Sequence, residues 1–363
     1  MKRQKRHAGA GFTLVELMVG MALGLLVMAA MASLFKSGLN ATMMISQRAE
    51  NQENMRAAME LMVKDISMAG AGLPSGGIQL PTGAGNNGLS KYGCDQTGTC
   101  HVHSFTYPTT PNDNYMYGII PGYKNGVEAD ASIPAAPAPA INDSIMVIYA
   151  DYNFPLFDYN GTFVAGSKGA SMTVAAIAGD TPPPINSAGG IQVGDLIMVT
   201  GAGLTGVGEV TGLTATTLSF ANLDALNINQ SAAASGNLAA IQTAAAGGTV
   251  SLIRLFAVTY YLTVPPAGQT PRLMRQVNGL TPVPVADDII NLQFAYDVYN
   301  STTDALDANQ PDVFGSGESP NNVQKVNIVA MGQSILNNGN KSQNMYLATS
   351  VSARNMAFRN TYQ

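Results

Sequence analysis

The stretch that decides the architecture is Phe12–Phe35, FTLVELMVGMALGLLVMAAMASLF, in which Glu16 is the single ionisable side chain. As a helix it would rise about 36 Å, enough to cross a hydrocarbon core of about 30 Å. Lys2, Arg3, Lys5 and Arg6 lie ahead of it, with no acid among the first eleven residues. The positive-inside rule keeps that basic end cytoplasmic, so the chain beyond about residue 36 is expected on the outer side.

A plain signal-anchor explains the charges and the apolar run. A secretory signal peptide also fits them, because Ala30-Met31-Ala32 before Ser33 supplies an A-x-A cleavage site. A lipoprotein is excluded, since no cysteine lies near the end of the run. Glu16 separates the remaining readings. A carboxylate deep in an apolar helix costs about 2.5–3.5 kcal/mol on insertion scales and calls for a partner. Neither an anchor nor a signal peptide provides one.

Gly11-Phe12-Thr13-Leu14-Val15-Glu16 resembles the type IV prepilin processing site. In that family an inner-membrane peptidase cuts after the glycine and methylates the new N-terminal phenylalanine, and the acid four residues on is required for assembly. The resemblance implies that Gly11 ends the leader, Phe12 is the methylated terminus and Glu16 is the assembly carboxylate. Cleavage would leave a cationic amine in the membrane, and Glu16 of an entering subunit can neutralise the amine of a neighbour. Gly20 and Gly24 add a G-x-x-x-G spacing that lets helices approach closely in lipid, although glycine is frequent in membrane helices generally. Many major pilins carry a helix-kinking proline late in this run. Here Ser33 stands in that place and the first proline is Pro74, so Ser37-Gly38 is the expected soft spot.

Past the apolar run, Met55, Met59, Met62, Ile66 and Ala69 recur at spacings of three or four, with Arg48, Glu50, Glu53, Arg56, Glu60 and Lys64 between them. That pattern predicts an amphipathic helix whose methionine stripe is core packing, ended by Gly70-Ala-Gly72-Leu-Pro74. Together the two halves predict a helix of about 55 residues, about 80 Å long. From there the pattern switches to period two and short apolar runs between Gly, Pro and Asn clusters. Strands are expected at 144–150, 195–200, 208–211, 217–220, 251–263, 272–277, 289–298, 325–330 and 346–352. Residues 131–140, 180–190 and 231–248 read as Pro/Ala/Gly-rich connectors and 300–322 as a polar loop.

The expected fold is α+β and pilin-like: one long N-terminal helix packed on a mainly antiparallel β head. Its divisions are a leader (1–11), a transmembrane helix (12–35), an amphipathic periplasmic helix (36–70) and a head (71–363). Loop insertions are expected in the head near 131–140, 160–190, 221–248 and 300–322.

Charged residues make up 11% of the 363-residue chain, against roughly 25% in typical soluble domains. Gly, Ser, Thr and Asn supply the polarity instead, which suits a loop-rich β protein facing an extracytoplasmic space. Without the leader, 14 bases stand against 23 acids, a net charge of −9. That sign gives no electrostatic footing for duplex nucleic acid. Cys94 and Cys100 enclose Asp-Gln-Thr-Gly-Thr, which fits a small disulfide loop in an oxidising compartment. His101 and His103 follow directly, so a zinc site and an ordinary pair of thiols compete with the disulfide, although zinc sites more often pair C-x2-4-C with H-x3-5-H.

Other constellations suggest enzymes and do not sustain them. Gly201-Ala-Gly203-Leu-Thr-Gly206 is a literal G-x-G-x-x-G, but a dinucleotide site needs a helix next and VGEVTGLTATTLSF reads as strand. A glycine-rich hairpin is expected there. Near Gly339 and Lys341 the P-loop spacing fails. Asp304, Asp307 and Asp312 could offer oxygens to calcium, without EF-hand spacing. No catalytic residues, cofactor or metal are therefore expected.

In the head, Gly194-Asp-Leu-Ile-Met-Val199, Pro271-Arg-Leu-Met-Arg275, Val285–Tyr296, Val323–Ile328 and Val351–Met356 are similar to segments of the large minor pilins of the PilW type. They resemble the J-type minor pseudopilin of type II secretion nearly as well. The resemblance implies a structural subunit that helps to start a type IV pilus and sits at or near its tip, supporting twitching motility or adhesion. Its implied partners are other minor pilins, the major pilin, the prepilin peptidase, the inner-membrane assembly platform and a tip adhesin. A membrane-anchored periplasmic enzyme is the reading from another class.

Overall fold

Without a proline before Pro74, nothing interrupts the i→i−4 ladder of α1, which runs from Leu14 to Ser67 (54 residues). The computed structural model describes residues 13–81, 115–122, 142–224, 226–263, 270–313, 315–335 and 342–356. It divides into two compact units, Met1–Glu50 and Asn51–Gln363.

In the first unit α1 exposes its apolar residues all round, from Leu14 to Phe35. The helix runs unbroken through the soft spot expected at Ser37-Gly38, where the Thr42 hydroxyl donates to the Gly38 carbonyl at 3.0 Å. A hydroxyl bonding back one turn competes with the backbone ladder for that carbonyl and slightly weakens a helix.

In the second unit α1 becomes one-sided. Met55, Ala58, Met59, Met62 and Ile66 are buried, and Ala69 follows them just past the helix, as the three-and-four spacing requires. Each large side chain so buried contributes about 1.5–3 kcal/mol. Gly70 and Gly72, both with positive φ, turn the chain out of the helix. The Gly70 N–H then donates to Ile148, and the Ala71 carbonyl accepts from Ala150.

The strands follow as β1 (Ile78–Gln79), β2 (Tyr115–Met116), β3 (Ile119–Gly122), β4 (Ser144–Asp151), β5 (Tyr159–Phe163), β6 (Ser171–Ala176), β7 (Leu196–Gly201), β8 (Leu204–Glu209), β9 (Gly212–Leu213) and β10 (Thr217–Ser219). After helix α2 (Leu238–Ala245) come β11 (Val250–Leu262), β12 (Leu273–Val277), β13 (Val283–Ala286), β14 (Ile289–Asn300), β15 (Ala305–Gln310), β16 (Val323–Ile335) and β17 (Ser342–Ser352). Every pairing among the described residues is antiparallel. The long strand β11 is the hub of an eleven-stranded sheet, pairing with β4, β5, β7 and β12. A second sheet runs β15-β14-β16-β17. The fold is thus α+β: a long apolar N-terminal helix followed by an antiparallel β domain.

The stripe on α1 covers both sheets. It shares one core with Leu292, Phe294 and Ile328 of the four-stranded sheet and with Ile145, Val147, Val258 and Tyr260 of the larger one. Along β14, Leu292, Phe294, Tyr296 and Val298 are buried while Asn291, Gln293 and Ala295 are partly exposed, the period-two signature of a half-buried strand. A separate core joins β5, β6 and β10 to α2 through Phe163, Met172, Leu218, Leu238 and Ile241.

Three expectations need correction. The 231–248 connector contains α2, started by Asn237, whose side chain accepts from the Ala240 amide at 2.9 Å. The polar loop at 300–322 contains β15, a strand exposed along most of its length that hangs on the β14 ladder. The strand expected at 208–211 lies earlier, at β8. The glycine-rich hairpin, by contrast, is present: Gly201 faces Leu204 across a two-residue turn, with φ 51° at Ala202 and 78° at Gly203. Two positive φ values make a type I′ turn. Alanine is the misfit there, so Ala202→Gly should stabilise the protein by about 0.5–1 kcal/mol in denaturant unfolding, the gain glycine brings in a left-handed position.

Candidate assembly site

The N-terminal turn of α1 is built by two side chains. Thr13 precedes the helix and Glu16 is its third residue, the arrangement of a capping box. The Thr13 amide and hydroxyl both donate to Glu16 Oε2, at 3.0 and 2.9 Å, and the Glu16 amide donates back to Thr13 Oγ1 at 3.3 Å. The carboxylate is thereby held against the helix N-terminus, where the macrodipole favours negative charge. No other part of the chain covers it, and it has apolar neighbours on every side of the helix. Thr-x-x-Glu before an apolar run is a sequence signature of this cap, and Thr13 is the residue that the pattern reading passed over.

Gly20 and Gly24 stand one turn apart in the same helix, and nothing lies within 4 Å of where a Cβ would stand on either. A groove floored by backbone is what close helix approach requires. The helix contains an 18-residue window of mean hydropathy 2.3, none of it buried. Gly11, Phe12, Cys94, Cys100, His101 and His103 lie outside the described residues.

Among the described residues of the head, two buried polar clusters are built on ion pairs. Asp65, 3% exposed on the buried side of α1, accepts from Tyr260 Oη at 2.6 Å, Arg275 Nε at 2.8 Å and Tyr149 Oη at 3.0 Å. Those donors come from β11, β12 and β4, so one carboxylate ties the helix to three strands. Burial, and then Asp65, push both tyrosines well above the usual phenol range. For Arg275, burial works against the charge, but Asp65 more than reverses it and raises its pKa. Asp65 sits beside Ile66 on the edge of the methionine stripe, and a charge in that position was the signal available in the sequence.

The second cluster centres on Arg254 in β11. Its Nε donates to Asp151 Oδ2 at 2.7 Å, its Nη1 donates to the Gly190 carbonyl at 2.7 Å and stands 3.6 Å from Asp195. The guanidinium also lies over the rings of Phe154 and Phe256, at 5.6 and 5.3 Å. Burial raises the pKa of Asp195, against the opposing pull of the Gln192 amide and Arg254. Both clusters join neighbouring elements through donors and acceptors that satisfy one another, an arrangement that fixes a fold.

Burial raises the pKa of the Glu318 carboxyl, and of the three aspartates weighed for calcium, Asp307 and Asp312 both act on that carboxyl and add to the rise. Asp304 accepts from Tyr299 and Asp307 from Asn300 Nδ2, and among the described residues no three His, Cys, Asp or Glu side chains are grouped to hold a metal ion.

A long apolar helix capped at its N-terminus, followed by an antiparallel β head, defines a chain suited to membrane anchoring by its N-terminal helix. Residues 6–32 match the family model described as the prokaryotic N-terminal methylation motif, which indicates a prepilin of the type IV pilin or pseudopilin kind. Such a motif points to a structural subunit and fits anchoring in the inner membrane. Comparison with curated proteins and with solved structures gave no match.

Proposed function

We propose that the chain is a PilW-like minor pilin, which helps to initiate type IV pilus assembly and sits at or near the pilus tip. The observation that carries the reading is Glu16 in the first turn of an exposed apolar helix, inside the matched methylation motif. The prepilin peptidase cuts after Gly11 and methylates Phe12. The freed amine is then neutralised by Glu16 of a neighbouring subunit, while Gly20 and Gly24 let the helices close together. The head, residues 71–363, is bulky for a repeating shaft subunit, which favours a place at the filament end. It lies in the periplasm before assembly and on the cell surface afterwards, and Cys94 and Cys100 form a disulfide there. Its partners are other minor pilins, the major pilin, the assembly platform and a tip adhesin, and the outcome is twitching motility or adhesion.

Intact-mass and N-terminal sequencing of the membrane-extracted protein test the first step. The expected product begins at N-methyl-Phe12 and has lost the eleven leader residues. A product beginning at Ser33 would instead mark a secretory protein, and one beginning at Met1 a plain anchor. Deletion of the gene should abolish piliation and twitching. Loss of protein secretion with pili intact would assign the chain to a type II secretion apparatus.

A further inference from the structure

We draw no further inference here: the strongest candidate, the uncharged outer edge of β17 (Ser342–Ser352) in the four-stranded sheet, carries nothing because nothing among the described residues shows which strand or chain covers it.

Discussion

Asp65→Ala should cost the protein about 3 kcal/mol of stability, the lower end of the roughly 3–5 kcal/mol lost when one partner of a buried ion pair is removed. The alanine leaves the Tyr149 and Tyr260 hydroxyls and the Arg275 guanidinium without their shared acceptor. The two phenols are enclosed, and a buried donor left unpaired costs about 1–3 kcal/mol. The Arg275 side chain is 26% exposed and can recover part of its hydration, which places the total at the lower end. Asp65→Asn keeps an acceptor oxygen but loses the charge, so it should fall between the wild type and the alanine variant. Glu60→Ala on the exposed side of the same helix should move stability by less than about 0.5 kcal/mol. Denaturant unfolding of the full chain in detergent measures all three. Hydrogen exchange should place the loss in residues 55–67, because the carboxylate holds that part of α1 to β4, β11 and β12. An Asp65→Ala protein as stable as the Glu60→Ala control would remove this cluster from the account of the fold.

Residue periodicity exposed what depends on burial and hid what does not. Met55, Met59, Met62, Ile66 and Ala69 were legible because a one-sided helix must repeat every three or four residues, and all five are buried. Strands β4, β11, β14 and β16 were legible for the same reason, since each carries apolar residues into a core. β15 was not, because Ala305–Gln310 buries almost nothing and owes its conformation to the neighbouring ladder. α2 was hidden in an Ala/Gly-rich run, and the helix itself buries only Leu238 and Ile241, although Asn237 marked its start. The polar clusters were harder still. Asp65 and Arg254 lie 189 positions apart in sequence, and the partners of each come from strands and loops that only the fold brings together. At the candidate assembly site the residue types and their spacing were all visible. The structure added the geometry, with Thr13 and Glu16 closing on each other at the first turn.

That closure gives Glu16 a capping task beside the assembly role proposed for it, and substitutions can separate the two. Glu16→Gln keeps a side-chain oxygen able to accept from the Thr13 amide and hydroxyl, so the cap survives while the charge is lost. Thr13→Ala does the reverse: the charge stays, and the helix loses a cap worth about 1 kcal/mol. If the carboxylate neutralises a neighbour's amine, Glu16→Gln and Glu16→Ala should both remain processed and membrane-inserted yet fail to enter filaments. The amine left unpaired in lipid carries a penalty of about 2.5–3.5 kcal/mol. At 1.4 kcal/mol per factor of ten, that predicts a drop on the order of 100-fold in the sheared filament fraction relative to the membrane pool. Thr13→Ala should lower incorporation by no more than about fivefold, since the ion pair remains. The opposite ranking, with Thr13→Ala defective and Glu16→Gln assembling like the wild type, would make Glu16 a helix cap and nothing more. Immunoblots of the filament and membrane fractions, normalised to the processed band, distinguish the two because only pairing between subunits depends on the charge.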